Sequence, residues 1–137
     1  MDKAILIDPF NKVIEKVNYD YGGKYTQITE YIATPEAPHP MFCTVNIDDA
    51  NTIYLDDEGL YRDTQAYFKW EGYHQPLQGR GLILGIDYET GESVPPTITI
   101  EKVKYSVSFP SNQPRVEPQF EVRSFSDNEF DEFLQSL

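Results

Sequence analysis

Cysteine is almost missing from this chain. Cys43 is the single one, so no disulfide can form within the chain, and a reducing compartment suits it better than secretion. Histidine is nearly as scarce. His39 and His74 stand 35 positions apart and, with one Cys, cannot complete a standard structural zinc site. Long apolar runs are missing too: nothing approaches the roughly 18 residues of a membrane span. Met1–Leu6 has no signal-peptide architecture, so the expected location is the cytoplasm. Positive charge is the last shortage, with 11 Lys and Arg against 23 Asp and Glu and a net charge of -12. Such a surface repels nucleic acid, whose binding needs Lys and Arg to displace counterions, and it repels anionic lipid. Neither is an expected partner.

What is present is enough for a core. The 137 residues suit one domain, and 10 Tyr and 8 Phe argue for folding despite a mean hydropathy of -0.52. The acids are unevenly spread. Residues 47–63 carry Asp48, Asp49, Asp56, Asp57, Glu58 and Asp63 against Arg62, and residues 117–137 carry six acids against Arg123. Each stretch is net -5. Either they form a solvated face that keeps the protein soluble, or they present carboxylates to a basic partner.

Strand and turn signals alternate along the chain. An apolar run at 3–8, the turn Asp8-Pro9-Phe10-Asn11 and alternation over 13–19 predict a β-hairpin. Tyr25, Ile28, Tyr31 and Ile32 predict a helix over 24–33, stopped by Pro35, Pro38 and Pro40. Residues 42–47 and 52–55 predict a second hairpin, 66–70 a short strand and 81–87 a longer one. Residues 97–109 fit either a bulged strand or a short helix entering a strand, and the second is preferred. The fold class expected is α+β: a curved antiparallel sheet with one or two packed helices over 1–109. A Pro-rich linker at 110–118 and an acidic extension at 119–137 follow, the latter with a short strand at 119–123.

The extension holds the sharpest local pattern. Ser126 and Glu129 form a capping box, Phe125 and Phe130 a hydrophobic staple, and Phe130, Phe133, Leu134 and Leu137 share one face. A helix over 127–136 follows. Ten residues are marginal as an isolated helix, so its apolar stripe needs a surface: its own core, a partner groove or a second copy of the chain.

Catalytic signatures are missing. Cys43 lies in a predicted strand, where free cysteine is usually a small hydrophobe. Gly79-Arg80-Gly81 precedes a strand, the wrong context for a dinucleotide loop, and no P-loop or nucleophile elbow exists. The glycines here predict a tight entry into the strand, with a bulge or close approach at Gly85. Asp48-Asp49 and Asp56-Asp57-Glu58 lack calcium-loop spacing, so no metal and no cofactor is expected. The aromatic group Tyr61, Tyr67, Phe68, Trp70 and Tyr73 is denser than a strand and its flanks require; core packing explains most of it, and Tyr and Trp on the exposed side of that strand would make interface anchors.

Lys3-Ala4-Ile5-Leu6-Ile7-Asp8-Pro9, Tyr54-Leu55-Asp56-Asp57-Glu58-Gly59-Leu60 and Gln75–Gly85, in that order, resemble a family of small uncharacterised phage- and plasmid-encoded proteins, a domain of unknown function. The resemblance covers residues 3–109, implies a mobile-element origin, and brings no catalytic residues. The leading expectation is a non-enzymatic acidic protein that binds and inhibits a basic, nucleic-acid-binding host factor. Its contacts would be Asp56, Asp57, Glu58, Trp70, Phe130, Asp131, Glu132, Phe133, Leu134 and Leu137. A second expectation is a nucleotide or metabolite binder with a pocket at Trp70, His74 and Arg80. A third is an enzyme of unrecognised type, which would unite His74, Arg80 and a carboxylate in one cavity.

Overall fold

The structure is a computed structural model that describes residues 2–110. The expected strand at 119–123 and helix at 127–136, with Phe130, Asp131, Glu132, Phe133, Leu134 and Leu137, lie outside the described residues.

The elements run β1 (Lys3–Asp8), β2 (Val13–Asn18), α1 (Thr26–Ile32), β3 (Phe42–Asn46), β4 (Asn51–Asp56), a 3₁₀ turn (Gly59–Tyr61), β5 (Tyr67–Trp70), β6 (Leu77–Gln78), β7 (Gly81–Ile86), β8 (Ser93–Val94), α2 (Ile100–Ser106) and β9 (Val107–Ser108). The main sheet is curved, antiparallel and ordered β2-β1-β7-β4-β3, with β8 added to β7. A small second sheet is ordered β6-β5-β9. This is the α+β class.

The apolar runs of β1 and β7 follow from burial on both faces of the sheet. Ala4, Leu6, Leu82 and Leu84 meet Tyr19 and the α1 residues Ile28 and Ile32 on one side. Ile5, Ile7 and Ile83 meet Ile53, Leu55, Phe68, Leu77, Val103 and Val107 on the other. The protein therefore has three layers: α1, the main sheet, and the small sheet with α2.

Residues 97–109 resolve to a short helix that runs into a strand. Thr99 caps α2 by accepting from the Lys102 amide at 3.1 Å, and Val103 is its fully buried residue. The helix at 24–33 is shorter than expected. Tyr25 sits at its N-cap, 62% exposed, so the buried stripe is carried by Ile28 and Ile32 rather than by four residues. Gly79 has φ +82, the left-handed turn into β7, and a Cβ on Gly85 would lie 2.6 Å from the Pro95 carbonyl oxygen. The close approach, not a bulge, explains that glycine.

Candidate functional site: the open edge of β3 and the aromatic cleft

The main sheet ends at β3, and no further strand pairs with it among the described residues. Its hydrogen-bond phase is set at both ends. The Asp57 amide donates to the Met41 carbonyl at 2.9 Å, and the Ile47 amide donates to the Asn51 carbonyl at 3.0 Å. Antiparallel pairs alternate, so 41, 43, 45 and 47 bond toward β4, while the N–H and C=O groups of Phe42, Thr44 and Asn46 point out along the edge. Cys43, Val45 and Ile47 are half-buried against the core, and Phe42, Thr44 and Asn46 are exposed.

Edge strands are usually blunted by charge or proline, because unpaired backbone groups template another strand. The opposite edge, β2, carries Glu15 and Lys16. The Phe42–Asn46 strand carries neither a charge nor a proline. Carboxylates stand at its two ends instead: Asp57 and Glu58 beside Met41, and Asp48 and Asp49 in the turn after Ile47, all four exposed. Beside the strand lies a cleft of about 320 Å³ lined by Cys43, Thr44, Val45, Asp57, Tyr61 and Tyr73 among others. A second, of about 290 Å³, continues it between Val45–Ile47 and Trp70–Tyr73.

A larger cleft of about 620 Å³ opens on the far side of the Trp70–Pro76 loop. Trp70, Tyr73, Pro76 and Tyr105 supply its apolar wall, Val107 is buried at its base, and Lys69, Glu71 and His74 are its charged or titratable lining. The rings of Tyr73 and His74 lie 4.6 Å apart, and Lys102 Nζ sits 5.2 Å from the centre of the Tyr105 ring.

The residues expected to act fall into separate places. Trp70 and His74 share the aromatic cleft, but Arg80 is not in its lining and is engaged elsewhere. Its Nε lies 3.3 Å from Asp8, its Nη1 donates to the Ala33 carbonyl at 2.7 Å, and its guanidinium stacks 5.0 Å over Phe10. The pocket expected at Trp70, His74 and Arg80 therefore loses its arginine, which ties the first hairpin turn to the end of α1. Burial raises the Asp8 carboxyl, but the Asn11 hydrogen bond and the Arg80 charge outweigh it and hold Asp8 below its ordinary value. Asp56 is likewise consumed within the fold, as its buried carboxylate grips Arg62. Asp57 and Glu58 remain exposed at the end of the strand.

Burial, with Asp57 and Asp56 nearby, pushes the Cys43 thiol up, away from the thiolate that nucleophilic or redox work needs. Among the described residues no group of three or more His, Cys, Asp and Glu is placed to hold a metal ion. No helix there is long and apolar enough to cross a membrane.

Two features escaped the sequence. Asn51 is 1% exposed, and its side chain donates to Asp48 and Thr97 while accepting from the Thr97 and Ile98 amides. It pins the segment before α2 to the β3–β4 turn. The Gln78 side chain is buried with neither Nε2 nor Oε1 hydrogen-bonded. Neither shows in a pattern of apolar residues, because each depends on neighbours distant in sequence.

No family model, no curated protein and no solved structure matches the chain. The resemblance over residues 3–109 thus rests on the quoted residues alone, and the geometry carries the functional reading.

Proposed function

We propose that this protein is a non-enzymatic binding protein that takes an extended, basic segment of a partner protein onto the open edge of β3. The carrying observation is the uncharged, proline-free edge with carboxylates at both ends. An added strand would gain main-chain hydrogen bonds from Phe42, Thr44 and Asn46, and its alternate side chains would enter the two flanking clefts. Asp57 and Glu58 at one end and Asp48 and Asp49 at the other favour Lys and Arg on the incoming segment and disfavour acidic ones. A basic, nucleic-acid-binding cytoplasmic protein fits this chemistry, and occupying its basic segment would inhibit it.

A short peptide of alternating Arg and Thr tests the reading. Titrated at low salt into the isotope-labelled full chain, it is expected to move amide signals over Phe42–Asn46, and a Glu/Thr peptide is expected not to. Thr44→Pro removes an amide that points away from the sheet, so the fold is kept and binding is lost. Unmoved signals along β3, or undiminished binding by T44P, would overturn the proposal.

A second reading has an observation of its own. The aromatic cleft is large enough for a nucleotide or metabolite stacked on Trp70 or Tyr105, though without Arg80 to hold a phosphate.

A further inference from the structure

We propose that the extended segment taken by β3 is read through two Arg side chains, two residues apart, that enter the two clefts beside the strand. The inference rests on the reading of the β3 edge and names the side chains that edge selects. It starts from the phase of the strand. Phe42, Thr44 and Asn46 turn their backbone groups outward, so in an antiparallel pairing they take the hydrogen-bonded positions. Cys43 and Val45 take the positions between, where side chains facing one another across the ladder come closest and share a face. Incoming residues opposite Cys43 and Val45 therefore project over the face on which those two pack against the core. That is the cleft side, and the clefts step along it by two residues. Cys43, Thr44 and Val45 line the first, Val45, Asn46 and Ile47 line the second, and Tyr73 lines both.

The linings choose the charge. The first cleft has apolar and aromatic walls at Tyr73, Pro76 and Leu77, and the second at Ile53, Trp70 and Tyr73. Neither lining contains a Lys, an Arg or a His. Each contains one carboxylate outside the ion pairs of the described residues: Asp57 in the first, where Asp56 is held by Arg62, and Glu71 in the second. Lys69, which meets Glu71 in the lining of the larger cleft, does not line this one.

A long side chain with an apolar stem and a cationic head suits such a cleft, the stem along the rings and the head at the carboxylate. Arg suits it better than Lys, because a planar guanidinium stacks on Trp and Tyr faces while still donating to a carboxylate. An acidic side chain would add a second negative charge to each cleft with no cation to meet it. The requirement is therefore more specific than net positive charge: Arg at alternate positions of an extended segment.

The probe is the peptide Lys-Thr-Arg-Thr-Arg-Thr-Lys, titrated into the full chain beside the same peptide with citrulline at both Arg positions. Citrulline keeps the shape and loses the charge. Amide shifts over Phe42–Asn46 report the edge, and the indole signal of Trp70, the only tryptophan, reports the second cleft. The citrulline peptide is expected to bind about tenfold more weakly and to move the indole signal less. Glu71→Gln is expected to cut that ratio by about threefold. Asp49→Asn, at a strand end and in neither lining, is expected to weaken both peptides alike and to keep the ratio. Equal binding of the two peptides with the β3 shifts intact, or an unchanged ratio in E71Q, would overturn this inference and leave the edge reading standing. Missing β3 shifts would overturn both. A dimeric mass without peptide, with the Phe42–Asn46 amides protected, would assign the edge and its clefts to a second copy of the chain and overturn it as well.

Discussion

Asp56 and Arg62 form a two-point ion pair, Nε to Oδ2 at 2.9 Å and Nη2 to Oδ1 at 3.1 Å, closing the turn that follows β4. The same carboxylate accepts from the Glu58 amide at 2.9 Å. A residue that reads in sequence as part of an acidic patch is therefore a structural strut, and the next two residues are the exposed ones. Asp56→Ala is expected to cost about 1–3 kcal/mol of stability, since it removes two charge-assisted hydrogen bonds to Arg62 and the acceptor of the Glu58 amide. Asp57→Ala and Glu58→Ala are expected to stay within about 0.5 kcal/mol of the parent. Denaturant midpoints for the three variants check this directly, and equal losses at all three would contradict it.

Asn51 joins the β3–β4 turn to the segment before α2 through one amide. Asn51→Leu keeps the volume but leaves the Thr97 amide without its 2.9 Å acceptor and the Asp48 carboxylate with the Ala50 amide as its remaining donor. The expected loss is about 2–4 kcal/mol, as buried backbone groups left unpaired each cost about 1–3 kcal/mol. Hydrogen exchange should quicken selectively at Thr97 and Ile98, the two amides that donate to the Asn51 side chain.

Gln78 works in the opposite direction. Its side-chain amide has been taken out of water with no hydrogen bond in return, and it is packed under Gly59, where a Cβ would come within 3.0 Å of the Gln78 Cβ. Gln78→Met preserves shape and removes the desolvated amide, and is expected to stabilise the protein by about 1 kcal/mol, raising Tm by several degrees. A lower melting temperature in Q78M would mean that the amide has a partner in solution.

Tyr19 sets an alkaline limit. Burial, with Tyr54, Tyr25 and Asp20 adding to it, pushes its phenol from 10.0 up to about 12. Because the folded value is raised, the contribution is complete below pH 10, where both states keep the proton, and is lost as pH rises to about 12. Stability is expected to fall by on the order of 2 kcal/mol across that window. Thermal melts from neutral to high pH should show the fall, and Tyr19→Phe should make it shallower, the remainder coming from Tyr21 and Tyr31, whose phenols burial also raises. An equal slope in Y19F would assign the alkaline loss to another group.

Much of this fold is legible in the sequence because its signals are local. The first hairpin is written in Asp8-Pro9-Phe10-Asn11 and the alternation after it, the second hairpin in the acidic turn at 48–51, and the exit of α1 in three prolines. Fixed φ angles, missing amides and side-chain periodicity need no tertiary partner. The helix-then-strand preference for 97–109 was also decided locally, by the spacing of Ile100, Val103 and Val107.

The sequence shows how many acids there are and where they cluster, and leaves open which of them are engaged within the fold. Only tertiary structure could assign Asp56 to Arg62 and Arg80 to Asp8, because an ion pair is made by whichever opposite charge the fold brings near. It also decided which strand became the open edge. Nothing in Phe42–Asn46 by itself distinguishes an edge from an interior strand; the order β2-β1-β7-β4-β3 does, by placing β2 and β3 at its two ends, so that among the described residues one side of β3 has no strand against it. The sequence determined the elements through near-neighbour sterics and hydrogen bonding, whereas the edge, the clefts and the pairing of charges came from contacts between residues far apart along the chain.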